Sequence, residues 1–361
     1  MPPRNTLVAA LAAAAPATAF AGGGEAVLRV MPGVDHVQRS NYANNSFRLE
    51  NTGGRDIVAF ELDVSTALYP DCVFDPEGKA GDNVAKPLQI NTPGDTGVLD
   101  PADAPGPAYV DEGGDRGYRT LRLYFSPAVD DGFNPGESVG FSIDMDPNSV
   151  AGTRKRPLDQ GAFPKWDVGG VSGAELIGSR FTVTFDDGST ATGQLHGTDT
   201  QAGSHGLVTD ADPQPPVALT ANQTEPGHTG TYTGNNLRVV VTGPAGRTAR
   251  VILTRGVIQP VTPYNDELHQ QLDVLAAAPF PANNAVEFQT VDVELTGEPQ
   301  DISDRFTPTG LLGETFTRHP DRPFSVDSDK LPLGLVAAVV NPDRNHLPLG
   351  PVSEPIYLTH E

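Results

Sequence analysis

Cysteine is almost missing from this chain: Cys72 stands alone, so no intrachain disulfide can form and the fold has to be held by packing. A single buried, inert thiol is the reading that follows for it. Nowhere is there a run of about 20 apolar residues, which excludes a helix that crosses a bilayer. Positive charge is short as well. Lys and Arg number 24 against 46 Asp and Glu, for a net charge of -22, and such a surface repels the phosphates of nucleic acids and anionic lipid headgroups. Nucleic acid is therefore not an expected partner. Catalytic signatures are missing too: there is no Gly-x-Ser-x-Gly elbow, no phosphate-cradling Gly-Lys-Ser/Thr loop and no His-Glu-x-x-His, and the 8 histidines show no pair at metal-ligand spacing. Apolar stripes at helical spacing are confined to Asp266 to Ala278, where Leu268, Leu272 and Leu275 suit one short helix.

What the chain does have is turns. Gly 39 and Pro 34 recur between short runs in which apolar residues occupy every second position. Phe47 and Leu49 begin the pattern; Val58, Phe60, Leu62 and Val64 are expected on one face of a strand, and Leu121, Leu123 and Phe125 on one face of another. In Glu137 to Asp146 the inward set is Val139, Phe141, Ile143 and Met145, which puts Ser142, Asp144 and Asp146 on the opposite face, expected to be wet. Phe181, Val183 and Phe185 lead into Asp186-Asp187-Gly188-Ser189, a hairpin turn, and on to Thr190 to Leu195. The alternation returns at Leu237, Val239 and Val241, at Val251 and Leu253, and at Val291, Val293 and Leu295. It continues in Leu335 to Val340 and Pro355 to Thr359.

A chain of 361 residues suits two domains. The fold expected is all-β, with two antiparallel β-sandwich domains, immunoglobulin-like or jelly-roll-like, joined by a Pro-rich linker. The first occupies residues 25–197, the linker 198–216, ending in Pro213-Gln214-Pro215-Pro216, and the second 217–361. Tyr69 to Asp115 is a long aperiodic stretch that calls for either a purpose or hidden structure. At the N-terminus Arg4, the apolar run Leu7 to Ala15 and Ala19-Phe20-Ala21 have the form of a signal peptide, residues 1–21, cleaved after Ala21. The expected location is secreted, periplasmic or cell-surface, without a membrane-spanning helix.

The C-terminal run Leu335-Val336-Ala337-Ala338-Val339-Val340-Asn341-Pro342-Asp343, followed by Gly350-Pro351-Val352-Ser353-Glu354-Pro355-Ile356-Tyr357-Leu358, resembles the last two strands of bacterial immunoglobulin-like or fibronectin-III-like modules. The first domain looks like a module of large exported bacterial proteins through Asn51-Thr52-Gly53, Val73-Phe74-Asp75-Pro76 with Gly81-Asp82, and Val171-Ser172-Gly173-Ala174-Glu175-Leu176. The resemblance implies a fold and a company of carbohydrate-binding and adhesive domains. It carries over no catalytic residue.

Two oxygen-rich clusters are candidates for calcium: Asp75, Glu77 and Asp82, and Asp144, Asp146 and Asn148. Neither fits an EF-hand loop, and Asp beside Gly, Pro and Asn also makes turns by bonding its own backbone. Candidate ligand contacts are Trp166, in Phe163-Pro164-Lys165-Trp166-Asp167, and Tyr109, Tyr118 and Arg116 around the acidic turn at Asp111 to Arg116. Aromatic faces of this kind stack on sugar rings, although the only Trp of a sandwich also commonly plugs its core. The pairs Asp130-Asp131 and Asp186-Asp187 would each diverge if they lay on strands, so they make a poor glycosidase couple. The function expected is non-catalytic: a secreted or cell-surface binding or adhesive protein, whose loops meet a polysaccharide or a surface protein. A calcium-assisted carbohydrate-binding protein is the alternative, and an extracellular polysaccharide hydrolase or lyase the third reading.

Overall fold

The computed structural model describes residues 23–33, 41–67, 69, 71–81, 84–110, 116–148, 171–198, 203–210, 217–232, 237–255, 287–306, 317–318, 333–342, 346–349 and 352–360. The expected leader, Asp82, the turn at Asp111 to Asp115, Trp166, Pro213 to Pro216 and the helix at Asp266 to Ala278 lie outside the described residues.

Among the described residues the protein is all-β, with two short 3-10 turns and no α-helix. The first thirteen strands are β1 (Glu25–Val30), β2 (Phe47–Asn51), β3 (Ile57–Asp63), β4 (Cys72–Phe74), β5 (Gln89–Thr92), β6 (Tyr109–Val110), β7 (Thr120–Tyr124), β8 (Ser138–Ser142), β9 (Met145–Pro147), β10 (Arg180–Phe185), β11 (Thr190–Gln194), β12 (His196–Gly197) and β13 (Ser204–Thr209). They build a six-stranded sheet in the order β12-β13-β1-β2-β8-β5, a five-stranded sheet in the order β11-β10-β3-β7-β6, and the small pair β4-β9. One core lies between the two larger sheets, because alternate residues of both turn inward: Leu28, Phe47, Leu49 and Phe141 from one, Phe60, Leu62, Leu121 and Phe181 from the other. Phe47 stacks on its register partner Phe141 with ring centroids 5.1 Å apart, and Phe60 meets Phe141 edge-on at 6.2 Å, a bridge across the two layers.

The face expected for β3 is shifted at its start. Phe60, Leu62 and Val64 are buried, but Ile57 and not Val58 completes the set. Opposite it, Thr184 pairs with Ala59 while Phe185 pairs with Ile57, so the register skips Val58. A bulge of this sort reverses which residues face inward from that point on. The hairpin at Asp186 to Ser189 joins β10 and β11 as expected. The stretch from Tyr69 to Asp115 contains β4, β5 and β6, each too short to show a period, and two of them extend the edges of the larger sheets. Residues 204–209, within the span expected to be a linker, form β13 in full register with β1.

The remaining strands are β14 (Ala218–Ala221), β15 (Thr229–Tyr232), β16 (Val239–Thr242), β17 (Thr248–Arg255), β18 (Glu287–Glu294), β19 (Gln300–Asp301), β20 (Thr317–Arg318), β21 (Leu333–Asn341), β22 (Leu347–Pro348) and β23 (Ile356–His360). They form a three-stranded sheet, β14-β16-β19, and a larger one in the order β15-β23-β21-β17-β18-β20, with β22 also on β21. Pairing is antiparallel except for β15 with β23. A second core joins the two sheets through Leu219, Val239, Val241, Val251, Leu253, Leu335, Val339 and Ile356. Every residue of β21 is buried, as its unbroken apolar run implies for a strand covered on both faces.

Candidate functional site

Asp75 and Glu77 of one cluster, Asp144, Asp146 and Asn148 of the other, and the tyrosine pair, which are dispersed in the sequence, meet at the small β4-β9 pair. There Val73 is opposite Asp146 and Phe74 opposite Met145, and the Asp75 N–H donates to the Asp144 carbonyl at 3.0 Å. Tyr118 lies along the other side of β4, its N–H and C=O exchanging bonds with those of Phe74 at 2.9 and 2.8 Å. That close approach depends on Gly117, where a Cβ would stand 2.4 Å from the Phe74 carbonyl oxygen.

Asp75, Asp144 and Asp146 are fully buried, and Ser142 nearly so, contrary to the wet face expected for the last three. The cause is the turn after β4. Asp75 folds it by accepting the Lys79 N–H at 2.9 Å on one carboxylate oxygen and the Ala80 N–H at 2.7 Å on the other. This brings Gly81, at φ +50°, so close over Asp146 that a Cβ there would lie 2.3 Å from its carboxylate. The next segment returns Lys86 to Asp144, with the ammonium 3.1 Å from Oδ1 and 5.5 Å from the centre of the Tyr42 ring. Lys86 thus supplies next to Asp144 the positive charge that a metal ion would otherwise bring. Among the described residues no three His, Cys, Asp or Glu side chains are grouped so as to hold a metal.

Above this buried layer lies a more exposed one. The rings of Tyr109 and Tyr118 are 5.1 Å apart and tilted by 31°. Tyr109 is half-buried against the first core, with its oxygen accepting the Leu88 N–H at 3.1 Å, and burial pushes its phenol up to about 12. Tyr118 donates its hydroxyl to Glu77 at 2.9 Å. The hydrogen bond from Lys79, then that from Tyr118, holds the exposed Glu77 carboxyl below the usual range, while Glu77 in turn raises Lys79. Arg116, also exposed, donates its backbone N–H to the Asn148 side-chain oxygen at 2.7 Å and its guanidinium to the Asn148 carbonyl at 2.9 Å. Glu77 and Asn148 thus belong to this outer layer and Asp75, Asp144 and Asp146 to the inner one. Neither group keeps the partition expected from their order in the sequence.

Lys86 and Tyr42 were not among the sequence candidates. A lone lysine followed by Pro87 in an aperiodic stretch carries no sign of a partner 58 residues away. Cys72 is buried and free, and burial pushes its thiol up, as an inert core residue requires. The pairs Asp130-Asp131 and Asp186-Asp187 lie in turns, and Asp131 and Asp186 converge on Asp56, whose carboxyl is raised by burial, then by Asp186 and Asp131. Comparison with protein-family models, curated proteins and solved structures finds no match to this chain.

Proposed function

We propose that this is a non-catalytic, exported binding protein whose recognition face is the β4-β9 end of the first sandwich, and that the chemical class it fits is a neutral or cationic polysaccharide. The observation that carries this reading is the outer layer: two tilted tyrosine rings bracketed by Glu77 with Lys79 on one side and Arg116 with Asn148 on the other. Aromatic faces next to fixed, bidentate-capable polar groups suit the alternating apolar and hydroxyl surfaces of a sugar ring. Two of the carboxylates favour binding over turnover. A general acid needs a raised carboxyl, whereas Glu77 is held in its ionised form and both Asp75 oxygens are occupied by backbone N–H groups. Titration calorimetry following a glycan array tests this. Tyr118→Ala and Arg116→Ala are each expected to weaken binding to the array hit by roughly tenfold or more, as for a central aromatic or arginine contact. Binding unchanged in both variants, no glycan bound at all, or turnover of the glycan by the purified protein would each overturn it.

A further inference from the structure

The edge of the six-stranded sheet holds a buried pair of histidines. β11 ends in the five-stranded sheet at Gln194, Leu195 enters the first core, and the chain then crosses to the six-stranded sheet as β12. Its His196 is the direct antiparallel partner of His205 in β13. Directly opposed residues project to the same side, so the two imidazoles are neighbours. Because Leu195 and Val208 point into the core, the histidines lie on the sheet's other face, yet they are only 6% and 4% exposed. Leu207, two residues along that face, forms a small buried cluster with Val27 of the adjoining strand and Leu347 of β22 in the second sandwich. The histidine pair is therefore one pleat away from the contact that joins the two halves of the molecule.

The charges in register with the pair across the sheet are positive. Arg29 of β1 is directly opposite His205, and Arg48 of β2 is opposite Arg29, so the row across four strands is histidine, histidine, arginine, arginine. β11, which abuts β13, contributes only Thr190, Ala191, Thr192, Gly193 and Gln194. Glu50 and Glu25 are one and two rows farther along the sheet, opposite Val27 and Thr209. Beyond β13, Asp210 is engaged by Arg55 and the Gly24 N–H. On the second sandwich His346 is 3.1 Å from Asp292, which also binds Arg250.

We propose that His196 and His205 are an acid-sensitive latch at the seam between the two sandwiches. With both imidazoles neutral, the β12-β13 edge stays closed and Leu207 stays seated against Leu347; a proton on either histidine loosens both. Burial, then His205, depresses the His196 imidazole from its ordinary value to about 3. The sign follows: an opened edge takes up a proton near pH 6.5 and the closed one does not, so closure is fully favoured above that value and weakens as pH falls towards 3.

Hydrogen exchange of the full chain, corrected for the intrinsic pH dependence of the chemistry, reads this directly. Between pH 8 and pH 5 the opening equilibrium of Ser204 to Thr209 is expected to rise about 30-fold per depressed histidine, with the β10 amides unaffected. His196→Gln combined with His205→Gln should remove that dependence. Should the double variant not fold, the histidine ring-proton resonances of the wild type decide the matter: both should hold their neutral positions at pH 5.5. Titration of both rings near pH 6.5 in the closed protein, or the same exchange profile in the double variant, would overturn the latch.

Discussion

A buried carboxylate is the costliest side chain a small sandwich can carry, and this one carries Asp146 in one short pair of strands with Asp75 and Asp144 flanking it. Asp75 is satisfied locally by two N–H groups of its own turn, so its role was open to a reading of Asp before Pro and Gly. One oxygen of Asp144 meets the ammonium of a residue remote in sequence, and residue types alone do not distinguish a metal ion from a lysine as its cation. Lys86 is only a quarter exposed, and removing it leaves a carboxylate with no exposure at all facing its former site. Lys86→Met is expected to destabilise the first sandwich by about 3 kcal/mol, the lower end of the range for breaking a buried pair because Lys86 is partly exposed, and Lys86→Arg by much less. Urea unfolding at pH 7 measures both; a Met variant as stable as the parent would mean that Asp144 does not depend on the ammonium.

The buried apolar sets of β2, β7 and β10 were legible because one wet side and one dry side impose a period of two, whereas Ser204 to Thr209 of β13 has no such alternation and was expected to be linker. The short strands β4, β5 and β6 were not legible, since they have no room for a repeat, and β4 and β6 help to assemble the candidate site. The rhythm also fails where the backbone adds a residue. Ile57 and Val58 look interchangeable in sequence, but the skipped register opposite Thr184 and Phe185 turns Ile57 inward and Val58 aside. Ile57→Ala should therefore cost about 2–4 kcal/mol and Val58→Ala about 1 kcal/mol or less in the same denaturation assay. Equal costs, or the reverse order, would place the bulge elsewhere.

At the scale of the molecule the two cores are separate clusters, and among the described residues the apolar contact between them is small: Val27, Leu207 and Leu347 buried, with Leu349 beside them. Each such side chain is worth about 1.5–3 kcal/mol when withdrawn from water, far less in sum than either core, so the seam can part while both sandwiches stay folded. A net charge of -22 pushes in the same direction wherever counter-ions do not screen it. Leu347→Asp places a further carboxylate in that cluster. The variant is expected to show a larger radius of gyration by small-angle X-ray scattering at low ionic strength than in about 0.5 M salt, where the Debye length falls to a few ångströms. Its calorimetric trace should resolve two transitions, one for each core, because the contact coupling them is gone. An unchanged scattering profile with a single transition would mean that the halves are bound by more than this cluster, and the latch would then be acting on an edge strand alone.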